Sequence, residues 1–533
     1  MAQKDIIYGD EARQKLKAGV DKIANAVTTT LGPKGRNVAF ETAWNRPKVV
    51  HDGVTVAKEV ELKDSFEDMG AQLAREASEK TNDVAGDGTT ASILLTQAIV
   101  TEGLRNISSG ISPMALRNGL EEATKKVVEE IKRISKKVST KEEKEQVATI
   151  SAQDKLMGKL IAEAMEKVGD KGVITIEEGK GFDLELEYKE GLQFDRGYAS
   201  PYFVTDTERM ETVINDSNIL FVDYRLDNVQ ELVIVLGRLT KQSKNIVIIA
   251  EDFSDEVLAT LVLNKVRGVA NILAVKAPGV SNRRSDRMED MAIFTGASLI
   301  SKSKGSSLVE ATVDVLGSVD KVISTRDDTI LMGGRGKKSS IKERVKHISK
   351  RIDNSPTEFD REKLKERLGA LSNGIAVLNV GAASETELRE RKLRVEDAVN
   401  ATKAAVEEGI VPGGGVALLN SRKVIEDSQD IGHKIVFNAL RYPITKILKN
   451  AGLDAGEIIA GLKEKNQGYN VVTMQYEDMI KTGIIDPSKV IRSALQNAVS
   501  VAIMILTTDC LIVETKEEKE KKPSIPRYPG PVK

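Results

Sequence analysis

The chain has 533 residues, which at about 150 residues per domain predicts three or four domains. Its 79 Lys and Arg residues are balanced by 80 Asp and Glu residues, and this net charge of −1 argues against a polybasic protein that binds nucleic acid through phosphates. Aromatic residues make up only 4% and there is a single cysteine, which excludes disulfide frameworks and cysteine-rich zinc sites. We also expect no membrane span, because no stretch reaches about 18 uninterrupted apolar residues.

The first 135 residues predict long helices. One covers residues 12–30 and another runs from about Thr89 to Arg105. A third begins at Ser112-Pro113, where proline occupies the first helical position, and its apolar residues recur at helical spacing as far as Ile134.

The middle of the chain alternates between strands and helices. Asn245–Ala250 and Asn271–Lys276 read as buried strands, and residues 254–267 and 285–294 as helices. Residues 297–301 then read as extended. Such alternation predicts βαβ units and a parallel sheet covered by helices.

Helical patterns return after about residue 430, over residues 434–450 and 488–506. The order helical, α/β, helical predicts an inserted domain with the two ends of the chain packed together. Cys510 lies in an apolar run and is expected to be a buried small residue. Residues 515–533 combine a charge run with four prolines and are predicted to be a disordered tail.

The segment Gly86-Asp87-Gly88-Thr89-Thr90 is the most suggestive local motif. Its glycines permit a tight turn whose N–H groups converge on an anion, and the helix that follows adds a partial positive charge. The threonine hydroxyls can donate to phosphate oxygens, and Asp87 is a hard oxygen ligand suited to Mg²⁺. Taken alone, the motif is more often an aspartate-capped turn.

Two further glycine-rich loops and two carboxylates complete the candidates. Leu31-Gly32-Pro33-Lys34-Gly35 follows a helical run, and Gly413-Gly414-Gly415 would let a base or ribose approach the backbone closely. Asp52-Gly53 and Asp397 supply carboxylates. By themselves the loops are ordinary helix ends, and Asp397 is an ordinary surface carboxylate.

The chain as a whole resembles the group I chaperonins, the GroEL family, from about Lys4 to Val513. Six motifs in one order carry the resemblance: Thr30-Leu-Gly-Pro-Lys-Gly-Arg-Asn37, Asp52-Gly-Val-Thr-Val56, Gly86-Asp-Gly-Thr-Thr90, Arg394-Val-Glu-Asp397, Gly409-Ile-Val-Pro-Gly-Gly-Gly415 and Ile485-Asp-Pro-Ser488.

The resemblance implies a multidomain fold in three parts. These are a mainly α equatorial ATP-binding domain (1–133 and 408–533), an α+β intermediate hinge domain (134–190 and 375–407) and an α/β apical domain for clients and a co-chaperonin (191–374). Gly191 and Gly374 would be the upper hinge, and Gly409 would mark the lower one. Arg196 and Glu385 match an ion pair between neighbouring subunits.

The resemblance also implies an ATPase site. Asp87 would hold Mg²⁺, with K⁺ as a further candidate ion, and Asp52 and Asp397 would position and activate the hydrolytic water. Asp397 would reach the site when the intermediate domain closes. The residues implied to surround the nucleotide are Thr30, Leu31, Gly32, Pro33, His51, Gly53, Asp87, Gly88, Thr89, Thr90, Ala91, Gly414, Tyr469, Asn470 and Asp486.

An apolar groove of the apical domain is implied to bind unfolded client proteins. Its matching residues are Tyr198, Tyr202, Phe203, Val233, Leu236, Leu258, Val262 and Leu263. Periodicity alone would instead make Leu258, Val262 and Leu263 a stripe facing the core.

The expected partners are unfolded clients, a GroES-like lid and further copies of the chain, in two stacked seven-membered rings, with no nucleic acid and no membrane. The start of the chain already belongs to the family's folded region, so we expect no transit peptide and a bacterial cytoplasmic location. His51, Ala91, Lys137 and the tail depart from the family pattern. Of these, only His51 and Ala91 support the alternative function, a client-holding scaffold with weak or no ATP turnover. A small-molecule kinase would need a polar pocket that the sequence does not indicate.

Overall fold

The computed structural model describes residues 4–41, 47–50, 52–152, 154–170, 172–179, 181–207, 209–241, 243–279, 281–355 and 357–514. The chain divides into two compact units. The discontinuous unit contains the residues up to Gly158 together with those from Asp397 onward, and the inserted unit is Lys159–Glu396. These boundaries differ from those of the three-domain division, which stays a prediction, as does the disordered tail, whose residues lie outside the described ranges.

The chain before the inserted unit is mainly helical. Its elements are β1 (Lys4–Tyr8), α1 (Gly9–Val27), β2 (Val38–Glu41), β3 (Pro47–Val50), α2 (Gly53–Glu59), α3 (Ser65–Ala85), α4 (Thr89–Ser108), α5 (Pro113–Ile134), α6 (Lys141–Ala152) and α7 (Lys155–Val168), of which the last crosses the boundary. Helices α4 and α5 begin where the sequence predicts. The first predicted helix ends three residues early, and Thr28–Thr30 forms a 3₁₀ turn.

Close helix packing forms the core of the discontinuous unit. A Cβ on Gly19 of α1 would lie 1.8 Å from the Glu67 carbonyl oxygen, and one on Gly70 of α3 would lie 2.1 Å from the Leu16 carbonyl oxygen. The two helices therefore approach each other backbone to backbone. Apolar side chains such as Leu16 and Ile23 are fully buried in the same core.

The inserted unit is α/β, as predicted. Its elements are β4 (Val173–Glu178), β5 (Leu184–Lys189), β6 (Gly191–Phe194), β7 (Thr212–Val222), α8 (Val229–Leu239), β8 (Asn245–Ala250), α9 (Asp255–Val266), β9 (Asn271–Lys276), α10 (Ser281–Thr295), β10 (Gly317–Ser324), β11 (Thr329–Gly334), α11 (Lys338–Asp353), α12 (Glu358–Ser372), β12 (Ile375–Val380) and α13 (Glu385–Glu408), of which the last crosses the boundary.

Two sheets organise this unit. The larger has the order β6-β11-β10-β7-β8-β9, and its β7, β8 and β9 are parallel, while the smaller has the order β4-β12-β5. The observed β8 and β9 coincide with the predicted strands. Residues 297–301 contribute only an isolated bridge, between Ile300 and Val222.

The returning segment completes the discontinuous unit. Its elements are β13 (Ile410–Pro412), α14 (Val416–Ser421), α15 (Ile431–Ala439), α16 (Tyr442–Asn450), α17 (Ala455–Ala460), β14 (Gln467–Asn470), β15 (Gln475–Asp478), α18 (Met479–Thr482), β16 (Ile485–Pro487), α19 (Ser488–Thr507) and β17 (Cys510–Glu514). The single helix predicted over residues 434–450 is wrong. It is divided into α15 and α16 because Pro443 lacks an N–H group and occupies the first turn of a new helix.

The ends of the described chain pair with each other. Strands β1 and β17 are antiparallel, with Lys4 opposite Glu514 and Tyr8 opposite Cys510. Leu511 faces the core and Cys510 is exposed, so the prediction of a buried cysteine is wrong. In a two-stranded sheet successive side chains face opposite sides, and the apolar run could not show which side is covered.

Helix α19 is long and apolar enough to cross a membrane by length and composition alone. However, 67% of the segment is buried inside the structure. Its neighbours include α3, α4 and α5, which is the environment of a core helix.

Candidate functional site

The Gly86–Thr90 motif forms the turn between α3 and α4. Gly86 ends α3 with φ +68°, and Gly88 precedes α4 with φ +86°, both in the left-handed region that favours glycine. Because Gly88 has no side chain, the first turn of α4 has no side-chain cap. The N–H groups of that turn are therefore available to an anionic ligand.

The start of α2 packs against this turn. A Cβ on Gly53 would lie 2.1 Å from Thr90 Oγ1 and 3.2 Å from Val27 Cγ1, so only glycine allows the contact. Asp52 caps α2, and its carboxylate accepts hydrogen bonds from the Val54 N–H (2.9 Å), the Thr55 N–H (2.8 Å) and the Thr55 hydroxyl (2.7 Å). A carboxylate offers about four acceptor positions, so capping leaves room for a further contact.

The third carboxylate comes from the returning segment. Asp486 lies opposite Val411 in the short β13–β16 sheet. Val490, one turn into α19, packs on the glycine turn, since a Cβ on Gly88 would lie 2.8 Å from Val490 Cγ1. Sequence positions near residues 88 and 486 are thereby brought together.

Unbalanced negative charge distinguishes this region. Burial raises the pKa of Asp486 to about 7, and the charge of Asp87 contributes. Burial also raises the pKa of Asp87, with a contribution from Asp52, although the Gly88 N–H donates to its carboxylate. Across the described ranges, none of the three carboxylates forms an ion pair with a Lys, Arg or His side chain. The arrangement is suited to a bound cation.

Helix α16 holds the two other glycine-rich loops. Gly32 (φ +83°) packs against Ile447, and Gly415 (φ +80°) packs against the Ile444 backbone one turn earlier. At the end of α16, the Asn450 side-chain amide donates to the Thr28 and Leu31 carbonyl oxygens, each at 2.9 Å. Asn450 was not predicted from the sequence, because nothing in its local pattern indicates a partner more than 400 residues away.

The residues of these loops that are predicted to contact nucleotide differ in whether their backbone or their side chain is accessible. Gly414 has φ +65°, and the space that a Cβ would occupy there is open, so its backbone is approachable. The Thr30 hydroxyl is buried and donates to the Val27 carbonyl oxygen, which leaves the loop backbone as the available group. Leu31 and Gly32 are half-buried and Pro33 is exposed.

Helix α13 carries Asp397 towards the same turn. A Cβ on Gly86 would lie 2.3 Å from the Asn400 Cβ, and Ala404 is buried with Ala85 and Val490. Asp397 is half-buried and precedes Asn400 and Ala404 by three and seven residues, which places it on the same face of the helix. The structure thus assigns Asp397 to the unit that contains Asp52 and Asp87.

A bidentate ion pair fixes the end of α13. The Arg492 guanidinium of α19 bonds both carboxylate oxygens of Glu408, with 2.6 Å from Nε to Oε2. This hydrogen bonding lowers the pKa of Glu408. Beside it, the Ser135 hydroxyl donates to the Glu408 carbonyl oxygen, and Gly409 has φ +84°. Arg492, which was not predicted from the sequence, thus links the end of α13 to α19, the helix that follows Asp486.

Tyr469 and Asn470 lie in the β14–β15 hairpin, whose Gly468 packs against Val416 beside the triple glycine. The Tyr469 hydroxyl donates to the Met474 carbonyl oxygen at 3.0 Å. The Asn470 amide donates to Glu477 at 2.9 Å, and its oxygen accepts from the Val472 N–H. These groups hold the hairpin turn, and contact with adenine or ribose stays a prediction.

The donor set fits a magnesium ion that is shared with a ligand. Asp87 and its neighbours offer hard carboxylate oxygens, which Mg²⁺ prefers. No cluster of three or more metal-ligating side chains is preformed in the described part of the chain. Mg²⁺ is usually coordinated by one or two protein carboxylates, and phosphate oxygens and water complete its coordination shell. His51 lies outside the described residues, and Ala91 is half-buried against the helical core.

The predicted client residues of the inserted unit divide by exposure. Tyr202 is 74% exposed, Val233 is 49% exposed and Leu263 is 46% exposed, while Tyr198, Leu258 and Val262 are half-buried. Phe203 and Leu236 are core residues instead, which corrects their assignment to an open groove. Leu236 belongs to the inward face of α8. Phe203 ends the Pro201–Phe203 turn, and its side chain is buried in the core of the inserted unit.

Exposed apolar residues that the sequence analysis did not name extend this surface. They are Ile234 on α8, Val266 at the end of α9 and Val269 just beyond it. Their exposure depends on which faces of α8 and α9 the sheet covers, and apolar runs could not show this. We call the exposed and half-buried apolar residues of α8, α9 and the Pro201–Phe203 turn the apolar surface.

The predicted upper hinge has its own cavity. Gly191 begins β6 against Ile375, and the adjacent Gly374 has φ +66°. Both line a cavity of about 610 Å³. Two arginines that line it are already paired, Arg287 with Asp195 and Arg367 with Asp290. No residue of α4 lines this cavity, so the uncapped start of that helix does not contribute to it. Arg196 and Glu385 are both exposed, and their pairing between subunits stays a prediction.

Comparisons with known proteins identify the family. The model of the TCP-1/cpn60 chaperonin family matches residues 23–516. Among solved structures, the chain is similar to the chaperonin gp146 from the bacteriophage EL 2 (Pseudomonas aeruginosa), crystallised in the presence of ATP-BeFx. The TM-score is 0.71 for crystal form II and 0.63 for form I, each at 22% identity over 96% of this chain and 99% of that one. The fold is therefore the multidomain chaperonin fold, and the chain belongs to the TCP-1/cpn60 chaperonin family, in agreement with its resemblance to group I chaperonins.

Proposed function

We propose that this chaperonin is an ATP-driven protein-folding machine. The observation that supports it most directly is the convergence of Asp52, Asp87 and Asp486 beside the uncapped start of α4. Carboxylates brought together without a paired cation gain stability when a positively charged ligand arrives. The helix terminus next to them favours phosphate, so a magnesium-bound nucleotide satisfies both features.

In this proposal the chain holds the nucleotide through its backbone and carboxylates. Gly32, Gly88 and Thr90 would contact the phosphates, and Gly414 would lie under the base or ribose. Asp87 would hold Mg²⁺, which when bound neutralises phosphate charge during phosphoryl transfer. Asp52 and Asp397 would orient the attacking water and accept its proton. The similarity to a chaperonin crystallised with ATP-BeFx is in keeping with this site.

Client capture would use the apolar surface of the inserted unit. Contiguous exposed apolar residues on a protein mark interaction sites, and burial of such residues against an unfolded chain requires no particular sequence. Closure in a ring cavity beneath a GroES-like lid, with two seven-membered rings, completes the proposed cycle. Movement of α13 would couple hydrolysis to that closure.

The test is phosphate release by the purified protein with ATP and Mg²⁺, measured with and without a denatured client, together with recovery of the client's activity. We expect magnesium-dependent turnover and ATP-dependent refolding. Client retention without magnesium-dependent turnover would favour the scaffold function instead. Turnover without client retention would contradict the folding role.

A further inference from the structure

A single lysine interrupts the apolar run of α9. Between Val257 and Val266 of α9, Lys265 is the only charged residue. It lies seven residues after Leu258 and three after Val262, which places all three on one face of the helix. A cation therefore stands inside the stripe that the proposed function assigns to client capture.

The contacts of Lys265 are unusual for an ammonium group. Its Nζ donates to the Phe203 carbonyl oxygen and lies 5.7 Å from the centre of the Phe203 ring. Within the described residues it forms no ion pair with a carboxylate. Burial lowers its pKa to about 8, so the group is mostly charged at neutral pH but is incompletely solvated.

This arrangement leaves two of the three ammonium donors for a ligand. The exposed Tyr202 lies beside Phe203 in the turn that Lys265 contacts, and the exposed Val266 follows Lys265 at the end of α9, with Val269 just beyond the helix. An arriving segment thus meets apolar contacts on both sides of an unpaired positive charge. A carboxylate is the complementary group, because it would pair with a cation that the chain leaves without a counter-ion.

We propose that Lys265 makes the apolar surface prefer extended client segments in which an Asp or Glu lies between large apolar residues. This inference rests on the proposed client-capture function and assigns it a substrate class. The preference is modest, because part of the ion pair remains accessible to water. A charge-assisted hydrogen bond at such a position corresponds to a preference of about threefold to tenfold.

The experiment compares two fluorescent peptides that differ only in a central Glu or Gln between leucines, and it measures anisotropy at neutral pH and low salt. The wild-type protein is expected to bind the Glu peptide about threefold to tenfold more tightly. Lys265→Met should remove the difference and Lys265→Arg should retain it. Lys346→Met, which changes an exposed lysine of α11, should leave it unchanged.

The outcomes separate this inference from the proposed function. Equal binding of both peptides by the wild-type protein, or a Glu preference that survives in Lys265→Met, would overturn the role of Lys265 and leave client capture standing. Binding of neither peptide would overturn both. A Leu258→Ser, Val262→Ser double variant should lose both peptides, which would place the binding on α9. If Lys265→Met does not fold, Lys265→Gln, which keeps a polar side-chain end but removes the charge, makes the same comparison.

Discussion

At the scale of single residues, Asp397 is the residue whose loss should affect ATP hydrolysis without affecting ATP binding. It lies on the face of α13 that packs against Gly86, whereas the groups proposed to contact phosphate belong to other elements. Its loss should therefore leave the nucleotide contacts in place.

We expect Asp397→Ala to bind ATP normally and to slow hydrolysis by about 10²–10⁴-fold, because the water would lose a positioned base. Calorimetry for binding and phosphate release for turnover would check this. Glu390→Ala is the matched control, since Glu390 lies on the same helix, is 60% exposed and pairs with Arg394. Unimpaired steady-state hydrolysis in Asp397→Ala would remove the assignment.

Asp486 makes stability depend on pH. Its folded pKa, about 7, is above its ordinary value of 3.8, so the folded protein binds more protons within this window. Stability without nucleotide should therefore fall as the pH rises from about 4 to 7. Asp486→Asn should raise the melting temperature by a few °C at pH 8 and give little or no gain at pH 5.

Thermal unfolding of the nucleotide-free protein at both pH values measures this effect. Asp427→Asn changes an exposed aspartate in the same unit and should shift neither value. If Asp486→Asn were less stable than the parent at pH 8, the electrostatic account of the three carboxylates would be wrong.

At the scale of elements, the site depends on how closely α2 and α4 approach each other. The contact between Gly53 and Thr90 leaves no space for a Cβ. A similar glycine contact joins elements that are far apart in the sequence: Gly88, before α4, packs against Val490 of α19.

Gly53→Ala should lower both the melting temperature and the ATP affinity, because its Cβ would collide with Thr90 Oγ1. Adding Thr90→Ala removes that oxygen and should restore part of the stability, although not the affinity if the hydroxyl contacts phosphate. A double-mutant cycle of melting temperatures and binding constants tests this coupling. Additive losses in stability would show that the two residues do not interact.

Local patterns predicted elements better than they predicted exposed faces. Helices α4, α5 and α9 and strands β8 and β9 were found within a few residues, because their apolar runs and end signals are local. The burial of Phe203 and the exposure of Cys510 depend on which surface a distant segment covers. Asn450 and Arg492 act on loops and helices far along the chain, and their neighbouring residues carry no sign of it.

The site was predictable mainly through the order of its motifs. Each glycine loop alone was an ordinary helix end, and the structure shows that Gly53 and Gly88 are required by close packing. The proximity of Asp486 to Asp87 could not be derived from spacing, since it depends on the packing of α19 against the Gly88 turn. The hydrogen bonds by which Asn470 holds its hairpin turn could likewise be seen only in the structure.

At the scale of the whole molecule, ring assembly is the remaining proposal. We expect the purified protein to sediment as a particle of about fourteen subunits of 58.1 kDa. Analytical ultracentrifugation and negative-stain images, with and without nucleotide, would measure this. Seven subunits would indicate a single ring, and a monomer under all conditions would contradict the ring.

The pairing of β1 with β17 has a consequence for biosynthesis. The inserted unit is continuous in sequence and can fold while the nascent chain is still growing. The discontinuous unit waits for α19 and β17, and β17 ends about 400–490 residues after α4 and α1 end. At about 5–20 residues per second this delay is roughly 20–100 s. During translation the apolar faces of α3 and α4 that α19 covers stay exposed, so the newborn chain itself is open to aggregation until α19 and β17 have left the ribosome.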